Sequence, residues 1–355
     1  MEASSTPRAY VIPHAFSVNY SMSTLNERLA AIRLSVERTH ARCAERCIVF
    51  ANQNDSMPIS SPPPASVPIP SPQPALGNIE REHSMLDIAE ATLRGSGFVH
   101  LQQIIDDDAL IDELDAHISE IEHVAYCQSI SGDLSSEHVS GCLLPPALEP
   151  ERRSDVLLAL DAPVTTAMFT ALVSGGVQPL LTRCLGPDAL LWELSAMRVR
   201  PGAKPQPIHP DTKWQQEEPS ALVVWIAMRD VTLDMGPTLL LPGTHTKPAH
   251  EAFHAAQGGS LPPDFAAAAA VGCEGPEVPL LKRGDALLMD SRLLHCGLGN
   301  RSDRERTLFY FTFRRNGDAD SEFRQSSLRQ SLRDRYELDH LCNALWDVCG
   351  REVKL

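Results

Sequence analysis

The stretch Gly284-Asp285-Ala286-Leu287-Leu288-Met289-Asp290 reads as a turn followed by a strand, and it delivers His295 near its end. It is one of a series. From Leu190 onward the chain breaks into short apolar runs separated by glycine and proline: Leu190–Val199, Ala221–Met228, Thr238–Leu241, Val278–Leu281, Ala286–Met289 and Leu308–Phe313. Met235-Gly236-Pro237-Thr238 and Pro242-Gly243-Thr244-His245 punctuate the third run as tight turns on either side of a strand. Runs of this length, with turn residues between them, pair as an antiparallel double-sheet barrel with helices packed outside.

Working outward, the segment before Leu190 has helical texture. Leu86, Ile88, Ala89 and Leu93 predict a helix stopped by Gly95 and Gly97, followed by a short strand at Phe98-Val99-His100-Leu101. Asp106 to His123 predicts a second helix, with Leu110, Leu114, Ile118 and Ile121 on one side and acids on the other. Thr165 to Cys184 predicts a third, ending before Gly186-Pro187. Beyond the last strand, Phe323 to Leu355 returns to helical spacing through Leu328, Leu332, Tyr336, Leu341 and Leu345.

Residues 1–84 differ from the rest. Leu25 to Cys47 can form an amphipathic helix, and Ser56 to Pro74 carries eight of the 28 prolines. Such a stretch extends rather than packs, so it reads as a linker. Arg33-Leu34 with His40-Ala41 resembles a loose N-terminal peroxisomal signal, and Val353-Lys354-Leu355 shares two letters with a peroxisomal tail. The expected organisation is a disordered or targeting extension over 1–84, a barrel domain over 85–320, and a C-terminal helix over 321–355 packed on or near the core.

Bulk properties exclude several classes. A net charge of −15 and the lack of a basic run argue against nucleic-acid binding. The longest bland apolar stretch, Phe265 to Gly272, is too short to span a bilayer. The nine cysteines have no zinc-type spacing and read as reduced thiols of an intracellular protein, cytoplasmic or, through the extension, peroxisomal or in another organelle. No glycine-rich phosphate loop or dinucleotide fingerprint is present. Oligomeric state is not legible.

The chemistry concentrates in three places. His209-Pro210-Asp211 puts an imidazole and a carboxylate two residues apart, on one face of a strand. His295 follows 84 residues after Asp211, and Arg306 eleven residues after that. Two imidazoles and one carboxylate are the set that holds a mononuclear non-haem iron(II) on one face, leaving three positions open. An arginine just after the last ligand can grip a dicarboxylate through its bidentate fork. Trp225 would wall that pocket, though a buried strand tryptophan is commonly core. His245 and His250 read as structural hydrogen-bonding residues, Arg301 and Arg304 as solvated turn charges, and Asp290 with Arg292 as an ion pair or turn contact.

Taken together, His209-x-Asp211, Trp225-Ile226-Ala227, Gly236-Pro237-Thr238, Pro242-Gly243-Thr244-His245 and His295 with Arg306 resemble the phytanoyl-CoA dioxygenase family over roughly residues 85 to 315. Gly97-Phe98-Val99 before an acidic helix resembles the start of that family's domain. The resemblance implies a double-stranded β-helix (jelly-roll or cupin-like) core, mainly β with flanking helices. It implies iron(II), 2-oxoglutarate and dioxygen, and hydroxylation of an unactivated carbon of a small organic or acyl substrate with release of succinate and CO2. His209, Asp211 and His295 would then be the metal ligands and catalytic centre, and Arg306 and Trp225 the co-substrate residues. A carboxylate at 211 fills the position that related halogenases leave to halide. Two other readings stand beside this one: a non-catalytic cupin-like metal- or ligand-binding protein, and a zinc or manganese cupin-like hydrolase or isomerase.

Overall fold

Alternation along each apolar run decides which side of a sheet its residues meet. The computed structural model describes residues 76–130, 143–144, 152–256, 265–273, 275–317 and 327–352. The proposed helix at Leu25–Cys47, the proline-rich linker and both targeting patterns lie outside these residues. The elements in chain order are α1 (Leu76–Ser96), β1 (Phe98–Leu101), α2 (Asp108–Ile130), β2 (Leu143–Leu144), β3 (Arg153–Leu157), α3 (Val164–Phe169), α4 (Val177–Leu185), β4 (Leu190–Val199) and β5 (Ala221–Ala227). They continue with β6 (Thr238–Leu240), α5 (Lys247–Ala255), α6 (Phe265–Ala270), β7 (Ala286–Asp290), β8 (His295–Gly297), β9 (Arg306–Arg314) and α7 (Leu338–Glu352).

The strands form two antiparallel sheets. The larger has the order β1-β7-β5-β9-β4-β3-β2, and β6 pairs with β8 in the smaller. This is a double-stranded β-helix with flanking helices. Register assigns the two faces of the large sheet. Phe309, Phe311 and Phe313 of β9 share one face with Leu194 and Ala196 of β4 and Leu222, Val224 and Ile226 of β5. That face joins Leu114 and Ile118 of α2, Leu180 and Leu181 of α4, and Leu341 and Leu345 of α7 in one core. The aromatic and branched residues supply large apolar areas, each side chain worth about 1.5–3 kcal/mol when fully buried. The other face carries Arg306, Leu308, Tyr310 and Thr312 and looks into the barrel. There Phe98, Leu240, Leu287, Met289 and Leu308 close the interior in a second cluster.

Two glycines make tight approaches. Gly236 has φ 71° and Gly284 φ 80°; a Cβ at either would collide with backbone, at Leu298 and Ile105 respectively.

Four expectations need correction. The third helix is not continuous: Gly175-Gly176 breaks it, with Gly176 at φ 72°, because only glycine takes that conformation without strain. Val278–Leu281 is not a strand; Pro279 lacks a donor, and only the Leu240–Glu277 bridge forms there. Residues 327–337 are not helical apart from a short turn at Gln330–Leu332, so the C-terminal helix begins at Leu338. The first helix starts at Leu76 rather than near Met85, since a polar turn without an apolar stripe is silent in a periodicity search. No single described helix is long and apolar enough to cross a membrane, and the bent pair Val164–Ser174 with Val177–Leu185, apolar as it is, packs into the main core.

Candidate metal centre and co-substrate pocket

His209 is placed by backbone pairing. Its N–H donates to His295 O (2.9 Å) and its carbonyl accepts the reciprocal bond from His295 N (3.0 Å), while Gln206 N donates to Gly297 O (2.8 Å). Residues 206–209 thus extend the small sheet beside β8. Pro210 then ends the pairing, as its missing donor requires. Asp211 and Thr212 both donate backbone N–H to Ser291 O, at 2.8 and 2.9 Å, and the Thr212 and Ser291 hydroxyls are 2.7 Å apart. The carboxylate is therefore held against the corner between β7 and β8.

The same corner is pinned from behind. Arg292 donates to Asp290 through Nε (2.9 Å) and Nη2 (2.6 Å), with both side chains buried. Arg292 also reaches the carbonyls of Gln216 and Glu217. His250 donates from Nε2 to Arg292 O (2.7 Å) and accepts from Trp214 N at Nδ1 (3.1 Å). Burial holds its pKa below the usual histidine value, in keeping with a neutral ring. His245 donates to Arg94 O (3.1 Å). Arg292 and His250 hold the loop after Asp211, while His245 ties its own turn to α1.

One donor atom from each of His209, Asp211 and His295 lies within 4.8 Å of the others. The Asp211 Oδ1 is 3.9 Å from His209 Nε2 and 3.7 Å from His295 Nε2. Each imidazole has its Nδ1 2.9 Å from a carbonyl, Pro207 O for His209 and Leu293 O for His295. Those contacts assign the proton to Nδ1 and turn both Nε2 lone pairs toward the carboxylate, the orientation a metal ligand needs. Burial lowers the His295 pKa, which also favours the neutral ring. Side-chain exposures of 36%, 27% and 8% for His209, Asp211 and His295 show that the cluster opens to solvent on the His209 side. Cys296, between His295 and Gly297, points the other way into an apolar cluster, where burial pushes its thiol up to about 12.

Arg306 opens β9 at the other end of the interior. It is 2% exposed, and its Nη1 donates to Gly236 O at 2.5 Å. Its Nε is buried without a hydrogen-bond partner, and among the described residues no ion pair includes it. Burial, and then the neighbouring Arg153, push its pKa down to about 9, which still leaves a cation at neutral pH. A small, partly open cleft lies against it, lined otherwise by Val231, Pro237, Thr238, Pro279, Leu281, Leu287 and Leu308. A buried cation with an orphaned donor beside an apolar cleft fits an anionic group carried on a short hydrocarbon chain. Arg301 and Arg304 are exposed on the preceding turn.

Trp225 lies on the inner face of β5, opposite Tyr310, with ring centroids 4.2 Å apart. Its partner Tyr310 lies two same-face positions along β9 from Arg306. Around Trp225 stand residues that sequence reading did not single out. Tyr310 Oη donates to Asp155 Oδ1 (3.2 Å), and Thr312 Oγ1 donates to Glu193 Oε2 (2.6 Å). Neither carboxyl pairs with a basic side chain among the described residues. Burial raises Asp155 to about 7 and Glu193 to about 8, and raises the Tyr310 hydroxyl well above its usual value. Polar residues at alternate positions of an otherwise apolar strand, such as Glu193-Leu194-Ser195, were the available signal.

The sequence profile of the phytanoyl-CoA dioxygenase family matches residues 93–308. The chain belongs to that family. Members of that family are iron(II)- and 2-oxoglutarate-dependent dioxygenases. The dioxygenase FUM3 of Gibberella moniliformis (strain M3125 / FGSC 7600) is 29% identical over 131 residues, 34% of this chain and 38% of the relative. The chain thus spans little more than a third of that relative's length. Among solved structures, the non-haem α-ketoglutarate-dependent epimerase SnoN from nogalamycin biosynthesis is similar at 17% identity, over 65% of this chain and 81% of that one, with a TM-score of 0.46. HygX from Streptomyces hygroscopicus, with nickel and 2-oxoglutarate bound, is similar at 12% identity over 64% and 87%, with a TM-score of 0.43.

Proposed function

We propose that this family member hydroxylates an unactivated carbon of a small organic or acyl substrate, coupling that oxidation to conversion of 2-oxoglutarate into succinate and CO2. The observation that carries the reading is the pairing of two features across one barrel interior. At one end, two Nε2 atoms and a carboxylate converge; at the other, Arg306 is a buried cation without an anionic partner among the described residues. When bound, iron(II) with 2-oxoglutarate would supply the oxidising chemistry.

The residues themselves do four things. His209, Asp211 and His295 would hold the metal from one side and leave the opposite positions open. Pro207 O and Leu293 O keep both rings in the ligating tautomer. Arg306 would take the far carboxylate of 2-oxoglutarate and so orient its keto acid toward the metal. Trp225, Tyr310, Asp155 and Glu193 line the remaining wall, where substrate would be positioned and water excluded.

The test is succinate formation from 2-oxoglutarate by the iron(II)-loaded protein in air without added substrate, since enzymes of this kind turn over slowly when uncoupled. We expect slow succinate release that Asp211→Ala abolishes. No succinate from protein with iron bound would refute the reading. Hydrolytic or isomerase turnover with zinc or manganese and no 2-oxoglutarate would replace it.

A further inference from the structure

We propose that Arg153 is a second cation for the far carboxylate of 2-oxoglutarate, so that this end of the co-substrate is held by two guanidiniums rather than by Arg306 alone. The inference rests on the 2-oxoglutarate reading and extends it to a residue outside the motif.

Arg153, Val199 and Arg306 form one cross-strand row: Arg153 on β3 pairs with Val199 on β4, which pairs with Arg306 on β9. The two arginines therefore leave the same face of the sheet. Both are buried, at 3% and 2% exposure. Their head groups meet over Gly297: a Cβ there would lie 3.2 Å from Arg153 Nη1 and 3.6 Å from Arg306 Nη2. The same point is 2.7 Å from Gln206 Oε1, which accepts the Gly297 N–H. Any side chain at 297 would fill the place where the two forks converge.

Position along β8 fits the co-substrate. His295 and Gly297 share a face, two residues apart, which is about 6.6 Å of strand. A five-carbon diacid that chelates the metal beside His295 reaches that far with its second carboxylate. A carboxylate offers about four lone-pair sites, so it can accept from both guanidiniums. Arg153 stays anchored meanwhile, because its Nη2 donates to Lys204 O at 2.6 Å and reaches Leu298 O at 3.3 Å. Two buried like charges repel, and Arg153 is one cause of the lowered Arg306 pKa. An anion between them turns that repulsion into attraction.

The experiment is an anaerobic titration of the full, iron(II)-loaded chain, following the visible charge-transfer band of the metal chelate. Two ligands are compared: 2-oxoglutarate, and 2-oxopentanoate, which has the same chelating head and chain length but no far carboxylate. Arg153→Met is expected to raise the half-saturating 2-oxoglutarate concentration at least about tenfold, the usual loss for a charge-assisted hydrogen bond, and to leave 2-oxopentanoate binding unchanged. Arg153→Lys should recover part of the loss, since it keeps the charge without the fork. Gly297→Ala keeps both arginines and should weaken 2-oxoglutarate selectively, so it reads the same pocket if Arg153→Met fails to fold. Equal shifts for the two ligands, or no shift in folded variants, would overturn the proposal while leaving the wild-type band intact. If the wild type shows no band with iron bound, the 2-oxoglutarate reading fails and this inference falls with it.

Discussion

Asp211 is the residue on which the metal centre turns. It supplies the sole carboxylate of the cluster, and its backbone is tied to Ser291. Asp211→Asn keeps the shape and removes the charge. Because loss of a supporting residue alone costs about 10–100-fold in metal affinity, this variant should bind iron(II) at least about 100-fold more weakly, as read by competition with a chelator. Glu193 makes a different prediction. Burial raises its folded-state pKa to about 8, above its value in the unfolded chain. The stability it contributes is therefore complete below the unfolded pKa and is lost as pH rises toward 8. Melting of metal-free Glu193→Gln and wild type should converge near pH 4 and diverge toward pH 8 in favour of the variant; parallel pH profiles would contradict this. The cluster of His209, Asp211 and His295 was legible in the sequence because His209-x-Asp211 is a local pattern. Glu193 and Asp155 were not, because nothing local shows that β3 and β4 lie side by side, facing inward.

At the scale of elements, the corner between β7 and β8 sets the site. Its ion pair is buried on both sides, with side-chain exposures of 1% for Arg292 and 3% for Asp290. Removing one partner strands the other charge, which typically costs about 3–5 kcal/mol. Arg292→Met should therefore lower unfolding stability by that order in chemical denaturation, and loosen the loop after Asp211. The strands with strong apolar runs, β4, β5, β7 and β9, were readable from alternation and turn residues. β3 was not: Arg153-Ser154-Asp155 looks like a surface segment until Val199, Arg198 and Met197 are seen opposite it. The split between α3 and α4 was written in Gly175-Gly176 but masked by the apolar residues on both sides. His295 proved to start a strand of the smaller sheet, after a turn at Ser291–Leu294, rather than to end β7.

Across the whole molecule, the two sheets divide the labour. The helix-covered face of the large sheet holds the main core, with its row of three phenylalanines on β9. The opposite face and the small sheet enclose the candidate site, so that the His209–Asp211–His295 cluster and Arg306 look into one interior from different strands. Long-range pairing creates that juxtaposition, and only the fixed offset from His295 to Arg306 announced it in the sequence. The most direct test is anaerobic titration of the iron(II)-loaded protein with 2-oxoglutarate, wild type beside Arg306→Ala. The account predicts a visible charge-transfer band in the wild type that needs far more 2-oxoglutarate to appear in the variant. An iron-bound wild type that shows no band, or a variant that saturates at the same concentration, would contradict it.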